Sequence, residues 1–350
     1  MMRSRSYIAT PPGATIKEQL NDRGMSQKEF AIRMDMSEKH ISKLINGEVQ
    51  LTPETAVKLE MVLGVPAVFW NNLEAIYREK IIKAEAENAM DADAEMARQF
   101  PYSEMVKLGW VPETRKTMEK VVNLRKFFEV VELSLLGSEQ ITRIACRRLA
   151  ITDKSDLALM AWAQEAKIQA RNIQTAPINI KGLISSIPEI RKMTVLKPEK
   201  FCPQIKRCLA DCGVALVFLP HLKGSFLQGA SFLDGNKIVV GLTARGKDAD
   251  KFWFSLFHEL AHIVLGHVGQ SNGTSAEDEE AANRWSGDTL IPADDFEAFR
   301  KDRDYSERKV LQFAKAQGIA PGIVVGRMQR EGMIKYSTLN NLKDKYEMPA

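Results

Sequence analysis

Cysteine is scarce in this sequence, with four residues in a chain of 350. Three of them, Cys202, Cys208 and Cys212, fall in the run FCPQIKRCLADC, which contains no CxxC pair and has the spacing of no common zinc module. A disulfide framework and a cysteine-based zinc fold are therefore excluded as the organising feature of the chain. We expect these thiols to be buried or free in a reducing cytoplasm.

Long apolar runs are also missing. No stretch reaches the roughly 18 consecutive apolar residues of a membrane span, and the first residues, MMRSRSYIATPPGATIKEQL, lack the apolar core of a signal peptide. We therefore expect a cytoplasmic protein with no membrane partner. An excess of one charge is missing as well, because the net charge is only +4, and this value excludes no class of partner.

Histidine is rare too, but two of the five histidines stand four positions apart in Phe252–His267, FWFSLFHELAHIVLGH. His258, Glu259 and His262 spell the pattern HExxH. Residues i and i+4 of an α-helix lie on one face about one turn apart, so both imidazoles can direct a nitrogen at a single Zn²⁺ ion. The flanking residues are mostly apolar, which predicts a buried helix whose ionisable side chains need partners.

The other polar residues of this stretch are predicted to have different roles. Glu259 lies about 100° round the helix from His258, where its carboxylate can act as a general base on a water molecule instead of binding the metal. His267 follows His262 by five residues and would be turned about 140° from it on a continuous helix. We therefore interpret His267 as a helix-end residue beside Gly266 and not as a ligand.

A third protein ligand has to come from another segment. The next predicted helix, Ala276–Leu290, begins with the acidic run Glu277–Glu280. Carboxylates at a helix N-terminus are stabilised by the helix dipole, which explains the run without any metal. One of them can instead complete a site of two histidines and one glutamate that leaves a coordination position open.

The run HELAHIVLGH, the later E-x-x-A-N with an aromatic residue two positions on, and Leu290–Pro292 resemble the ImmA/IrrE family of metallo-endopeptidases. This resemblance implies a zinc ion held by the two HExxH histidines and a downstream glutamate, and a catalytic role for Glu259. Alignment on Asn283 and on Leu290–Pro292 assigns that glutamate to Glu279. Glu280 is the close alternative, because the acidic run allows the alignment to shift by one residue.

The segment before the HExxH helix is predicted to contain a helix over Phe201–Asp211 and three short strands. The strands are expected over Val214–Leu219, Phe226–Leu233 and Ile238–Leu242, with a turn at Asp234–Asn236. Strands in this position fit the zincin arrangement, in which an edge strand binds the backbone of a peptide substrate by β-augmentation.

Helix boundaries are clearly marked between Pro12 and about Lys80. Ser26-Gln27-Lys28-Glu29 has the form of a capping box, Ser37 can cap the next helix, and Thr52-Pro53 starts another. Two short helices joined by a tight turn and packed against three others predict a helix-turn-helix fold. The second helix of such a pair enters the major groove of DNA.

The stretch from PGATIKEQL to NNLEA resembles the lambda-repressor-like domain of HigA-type antitoxins over its whole length. The resemblance implies binding to double-stranded operator DNA, usually as a homodimer on an inverted repeat. Phosphate contacts come from side chains at a helix start and base contacts from the recognition helix. The predicted residues are Ser26 and Gln27 near the phosphates and Lys39, His40, Ser42 and Lys43 at the bases.

The charge of this segment supports DNA binding only weakly. Residues 1–80 contain 11 Lys and Arg against 10 Asp and Glu, a net charge of +1. DNA-binding surfaces usually show a clearer basic excess. A five-helix module that binds protein instead of DNA therefore stays open as the alternative.

The predicted fold class is α+β and mainly helical. We expect a helix-turn-helix domain in residues 1–80, a helical middle region in 81–200, a zincin-like domain with a small sheet and the HExxH helix in 201–300, and a helical extension in 301–350. The polar tail from Lys335 onward is expected to fray.

The two ends of the chain predict a DNA-binding regulator with a zinc-dependent endopeptidase domain that hydrolyses a peptide bond in a partner or repressor protein. The alternative is a DNA-binding antitoxin or autorepressor, with a cognate toxin as its partner, whose zincin domain is a structural or sensing module without proteolysis. The glutamate Glu259 favours the enzyme, since a purely structural zinc site does not need it.

Overall fold

The computed structural model describes residues 9–137, 154–223, 225, 228–243, 248–269 and 274–346. The chain forms two compact units, and the boundary between them lies between Asp93 and Ala94 in the sequence. The described elements are mainly helices with one small sheet, so the predicted α+β fold class is confirmed. The domain boundaries at residues 80, 200 and 300 remain predictions.

The N-terminal unit consists of helices separated by short polar turns. Its helices are α1 (Pro12–Asp22), α2 (Gln27–Arg33), α3 (Glu38–Ile45), α4 (Pro53–Leu63) and most of α5 (Ala67–Ala97), which continues past the boundary after Asp93. The hydroxyls of Ser26, Ser37 and Thr52 accept hydrogen bonds from backbone N–H groups at the starts of α2, α3 and α4. Only the Ser26 half of the predicted capping box is seen among the described residues, because the Glu29 carboxylate pairs with Arg33 at 2.7 Å within α2.

α2 and α3 form the helix-turn-helix, and their apolar faces lie in one core. The buried side chains of the pair are Phe30, Ala31, Ile41 and Leu44. The turn between them contains Asp35 at φ 51°, a left-handed conformation that aspartate adopts more readily than most residues. A Cβ at Gly13 would lie 2.0 Å from the carbonyl oxygen of Ile45, so only glycine allows α1 to approach the end of α3 this closely.

The C-terminal unit contains further helices around a three-stranded sheet. Its elements are α6 (Tyr102–Lys107), α7 (Thr117–Phe128), α8 (Lys154–Arg171), α9 (Ile180–Lys192), α10 (Pro198–Ala210), β1 (Val214–Leu219), β2 (Gly229–Asp234), β3 (Lys237–Thr243), α11 (Ala249–Val264), α12 (Ala276–Leu290), α13 (Ala293–Asp302), α14 (Glu307–Gln317) and α15 (Pro321–Arg330). Among the described helices, none combines the length and the apolar character needed to cross a membrane.

The sheet has the strand order β1-β3-β2, so β2 lies at an edge. β1 and β3 are parallel, whereas β2 and β3 form an antiparallel hairpin that turns at Gly235 with φ 60°. β2 begins at Gly229, three residues after the predicted start, and residues 226 and 227 lie outside the described residues. The predicted arrangement of three short strands before the HExxH helix is therefore present in the structure.

α11 is the central helix of the C-terminal unit, and it contacts β2 and β3 as well as α12 and α15. Trp253 and Phe257 are fully buried, and the ring of Phe201 lies 4.9 Å from that of Trp253 between centroids. Burial of such side chains contributes roughly 1.5–3 kcal/mol each, so this face anchors the helix. The opposite, polar face of α11 is thereby held toward α12.

The segment after α15 also belongs to this core. Tyr346 is buried, and its hydroxyl accepts a hydrogen bond from the indole N–H of Trp253 at 2.9 Å. The backbone N–H of Ala249 donates to the carbonyl oxygen of Asp344 at 2.9 Å. The expectation that the polar tail frays is therefore wrong for residues 343–346, because one aromatic ring and several polar contacts attach them to α11.

Candidate functional site

The HExxH histidines lie one turn apart on α11 and point at the same place. His258 Nε2 and His262 Nε2 are 3.1 Å apart, and the ring centroids are 4.7 Å apart. His262 is buried and His258 is half-buried. The i,i+4 spacing therefore brings two equivalent nitrogens together, as helix geometry requires.

The third donor comes from α12. Glu279 Oε2 lies 3.3 Å from His258 Nε2, and Glu279 Oε1 lies 3.5 Å from His262 Nε2. The three residues offer ligand atoms that all lie within 4.8 Å of one another. Glu280, the alternative from the sequence, is exposed and pairs with Arg284 at 3.1 Å instead.

The spacing of these donors fits a tetrahedral metal ion. Atoms placed about 2.1 Å from a tetrahedral centre lie about 3.4 Å from each other. The observed separations of 3.1, 3.3 and 3.5 Å lie on both sides of that value. Two imidazole nitrogens and one carboxylate oxygen are also the donor set of catalytic zinc sites that keep one position open.

Both ends of α12 are attached, and this holds Glu279 in register. At the start, Ser275 and Asp278 form a capping box. At the end, the guanidinium of Arg327 on α15 donates to the carbonyl oxygens of Gly287 at 2.8 Å and Ile291 at 2.6 Å. A glutamate one position further along the helix would point away from the histidines. This attachment therefore decides which glutamate faces them.

Glu259 is buried between α11 and the edge strand β2. A Cβ at Gly229 would lie 2.9 Å from Glu259 Cγ and 3.0 Å from Glu259 Oε1. The carboxylate therefore lies against the backbone of β2, where any side chain larger than hydrogen would displace it. No feature of the sequence marked Gly229, because this contact joins two elements that are 30 positions apart, from 229 to 259.

His267 follows the end of α11, where the sequence predicts a helix-end residue, and its ring also contacts His262 and Asp278. α11 ends at Val264, and Gly266 with φ 77° turns the chain back. The ring of His267 is buried, with Nδ1 at 3.0 Å from His262 Nδ1 and Nε2 at 3.3 Å from Asp278 Oδ1. The predicted rotation of about 140° applies to a continuous helix and does not hold after this turn.

The carboxylate of Asp278 has its own partners. Its pKa is lowered, first by the backbone hydrogen bond from Ser275 and then by the side-chain hydrogen bond with the same residue. Ser275 N donates to Asp278 Oδ2 at 2.8 Å. Asp278 is thus an anion held at the start of α12, whereas the sequence suggested only a general interaction with the helix dipole.

A cleft of about 1170 Å³ opens over the three donors. The cleft is lined by residues of β2 and, on α11, by Phe254 and Ser255 in addition to His258. The far end is lined by charged residues that include Lys251, Arg330 and Lys343. The cleft therefore has room for a segment of peptide beside β2.

The residues predicted to contact DNA lie at the start of α2 and on α3. Lys39, His40 and Lys43 are exposed on α3, and Ser42 is half-buried. Lys39 and Lys43 lie on the side of the helix away from the buried Ile41 and Leu44. Ser26 is the exposed cap of α2, and Gln27 is the first residue of that helix. The arrangement leaves the outer face of the second helix accessible, as a helix-turn-helix requires.

Comparison with known proteins matches both ends of the chain. A family model described as helix-turn-helix matches residues 16–70, and one described as IrrE N-terminal-like domain matches residues 219–328. YddM of Escherichia coli (strain K12), an uncharacterized HTH-type transcriptional regulator, is 38% identical over 80 residues, which are 23% of this chain and 81% of that protein.

These matches coincide with the structural features described above. The first range spans the helix-turn-helix, and the second contains β2, β3, α11 and α12 with the three donors. Both resemblances predicted from the sequence are confirmed at the level of the family. The chain belongs to the HTH-type transcriptional regulators, with a DNA-binding XRE-type helix-turn-helix domain at its N-terminus and an IrrE/ImmA-like domain of the peptidase M78 family at its C-terminus.

Proposed function

We propose that this DNA-binding regulator is also a zinc-dependent endopeptidase that hydrolyses a peptide bond in a partner or repressor protein. His258, His262 and Glu279 hold Zn²⁺ in this proposal, and Glu259 is the catalytic base. The observation that carries it is the convergence of the three donors within 4.8 Å in a cleft that Glu259 also lines.

The chemistry assigned to the chain is proton transfer by Glu259. When bound, Zn²⁺ supplies Lewis-acid polarisation of the scissile carbonyl. The Glu259 carboxylate takes a proton from the attacking water and delivers it to the leaving amine. Its position against Gly229 supports this role, because the contact restricts the side chain to one side of the cleft.

The substrate in this proposal is an extended peptide that pairs with β2. β3 occupies one edge of β2, and Gly229, Ala230, Ser231 and Phe232 line the cleft. Backbone N–H and C=O groups of an edge strand bind an extended chain irrespective of its side chains. The neighbouring apolar and charged residues of the cleft would then select among sequences.

Metal analysis of the purified full-length protein tests the zinc site. Inductively coupled plasma mass spectrometry should find about one equivalent of zinc in wild type and little in the His258→Gln, His262→Gln double variant. Glu280→Gln is the matched control, since Glu280 is exposed and pairs with Arg284. Absence of zinc from wild type would contradict the site.

Comparison of the proteome of wild-type cells with that of Glu259→Gln cells tests proteolysis. At least one protein should be shortened in wild type and intact in the variant. The zinc content of Glu259→Gln should stay at the wild-type level, because Glu259 is not one of the proposed ligands. If no protein changes length, the alternative of a DNA-binding antitoxin or autorepressor with a non-proteolytic zincin module is favoured.

The N-terminal unit is proposed to bind an operator as a homodimer on an inverted repeat, with base contacts from α3. Each good contact to a base is worth about 1–3 kcal/mol, so Lys39→Ala with Lys43→Ala should weaken operator binding at least tenfold. Lys17→Ala with Lys80→Ala removes the same charge from exposed positions outside α3 and is the control. Equal losses in both variants would argue for a general charge effect instead of base contacts.

The cytoplasmic location and the cognate toxin remain parts of the proposal. Partners that co-purify with the Glu259→Gln variant would distinguish a substrate from a toxin. A substrate is released once wild-type enzyme is added, whereas a toxin stays bound.

A further inference from the structure

The second ring nitrogen of His262 faces another histidine. His262 Nδ1 and His267 Nδ1 are 3.0 Å apart, and the two ring planes are inclined by 63°. His267 is 6% exposed, so bulk water does not compete for this contact. The backbone N–H of His267 also donates to the carbonyl oxygen of His262 at 2.8 Å, which ties the turn to the end of α11.

The far nitrogen of His267 faces an immobilised carboxylate. His267 Nε2 lies 3.3 Å from Asp278 Oδ1, while Asp278 Oδ2 accepts a hydrogen bond from Ser275 N at 2.8 Å. Ser275 Oγ in turn accepts from Asp278 N at 3.1 Å. The carboxylate is therefore held by the backbone N–H of Ser275, and the backbone of Asp278 is held by Ser275 Oγ, at the start of the helix that also carries Glu279.

This geometry allows one consistent arrangement of protons. If His262 Nε2 donates its lone pair to a metal, its proton is on Nδ1. His267 Nδ1 must then be the acceptor, and the proton of His267 is on Nε2, directed at Asp278 Oδ1. Each donor in the series His262, His267, Asp278 thus meets an acceptor, and the series ends on an anion.

We propose that His267 and Asp278 are positioning residues that hold His262 in the tautomer and ring orientation needed to bind the metal. This inference rests on the proposed zinc site and adds two residues to it. Partners of this kind orient metal-binding histidines and raise their basicity, and their loss typically weakens metal binding 10–100-fold.

Two variants interrupt the series with little change of volume. Asp278→Asn places an amide N–H₂ either toward His267 Nε2–H or toward Ser275 N–H, so one contact becomes donor against donor whichever way the amide is turned. His267→Phe removes the acceptor for His262 Nδ1–H and keeps a buried ring. His267→Gln is the conservative variant, since its amide oxygen can still accept that hydrogen bond.

The test measures the zinc dissociation constant of the full-length apo protein by competition with a chelator. Asp278→Asn and His267→Phe should bind zinc 10–100-fold more weakly than wild type, and His267→Gln should recover most of the loss. Asn179→Ala is the matched control, because it removes the side-chain cap of α9 in the same unit and lowers stability but leaves the His267–Asp278 contact unchanged. Its zinc affinity should remain at the wild-type value.

Nitrogen NMR of the imidazole rings in apo wild type separates the two proposals. The expected spectrum has the proton of His262 on Nδ1 and that of His267 on Nε2, with both assignments lost in Asp278→Asn. Normal zinc affinity in folded Asp278→Asn and His267→Phe would overturn the positioning role while leaving the zinc site intact. If wild type shows these tautomers but binds no zinc, the proposed zinc site fails and the hydrogen-bonded series stands only as a structural feature.

Discussion

At the residue scale, one buried ion pair attaches the end of the described chain to α11. Lys343 Nζ lies 2.6 Å from Asp250 Oδ2 and 2.8 Å from Gln329 Oε1. Asp250 is 4% exposed, and its Oδ1 has no hydrogen-bond partner among the described residues. A buried carboxylate with so few partners depends strongly on the ammonium group of Lys343 that contacts it.

Lys343→Met should therefore destabilise the protein strongly, because it leaves the Asp250 carboxylate buried without its cation. Removal of one partner from a buried pair costs about 3–5 kcal/mol. Urea unfolding followed by tryptophan fluorescence measures this loss, since four of the five tryptophans follow Ala94. Lys345→Met, at an exposed neighbouring position, should stay within about 0.5 kcal/mol of wild type, and an equal effect of both changes would contradict the argument.

Tyr346 links the stability of the same region to alkaline pH. Burial raises the pKa of Tyr346 to about 12, and the hydrogen bond from Trp253 lowers it in part. The unfolded chain loses this proton near pH 10, the ordinary value, while the folded chain keeps it up to about 12. The contribution of protonated Tyr346 to the free energy of unfolding is thus complete below pH 10 and is lost as the pH rises through 12.

We expect the free energy of unfolding to fall between pH 10 and 12, and to fall less steeply in Tyr346→Phe. Urea unfolding at several pH values measures both slopes. Tyr336→Phe is the control, because Tyr336 is 73% exposed and should leave the wild-type slope unchanged. If the free energy of unfolding falls as steeply with pH in Tyr346→Phe as in wild type, another titrating group causes the decrease.

At the scale of elements, the contact between β2 and α11 shapes the proposed active site. Gly229 is the first residue of the edge strand β2, and the buried Glu259 of α11 lies next to it. A Cβ at position 229 would lie 2.9 Å from both Glu259 Cγ and Leu242 Cδ2. A Cβ at that point would therefore force the side chain of Glu259 or Leu242 to shift, whereas glycine leaves both in place.

Gly229→Ala should reduce peptide hydrolysis roughly 100-fold, since a displacement of about 1 Å in a catalytic group has that effect. Zinc content should not change, because His258, His262 and Glu279 are not touched. The rate is measured on the protein that the Glu259→Gln comparison identifies. Gly287→Ala is the matched control, because a Cβ at position 287 would come no closer than 3.8 Å to Arg327. Equal rates for wild type, Gly229→Ala and Gly287→Ala would refute the steric argument.

At the scale of the whole molecule, the chain combines two units with separate cores. The core of the N-terminal unit is centred on Phe30, Leu59 and Trp70, whereas that of the C-terminal unit is centred on Trp253 and Phe257. The proposed metal ligands all belong to the second core. Zinc binding should therefore stabilise one unit and leave the other unchanged.

Calorimetry with and without zinc should show this difference. At a zinc concentration 100 times the dissociation constant, the C-terminal transition gains about 2.7 kcal/mol and moves to higher temperature, while the N-terminal transition stays in place. His262→Gln should abolish the shift. A shift of both transitions, or one that persists in His262→Gln, would indicate that zinc binds elsewhere.

The sequence alone was sufficient to predict the features that depend on local interactions. The pairing of His258 with His262 follows from the i,i+4 geometry of any helix, and the caps at Ser26, Ser37 and Thr52 follow from side chains that reach a backbone N–H three residues on. The short strands before α11 were predicted for the same reason, although the start of β2 was displaced. Such features depend on a few neighbouring residues, so a short stretch of sequence is enough to predict them.

Tertiary packing decided the features that join distant segments. The choice of Glu279 over Glu280 depends on how α12 is attached at its two ends, because a step of one residue turns a side chain by about 100°. His267 reaches His262 only because the chain reverses at Gly266 and Asp278 is held by the next helix. These contacts are set by the packing of whole elements against one another, and no single stretch of the sequence encodes that packing.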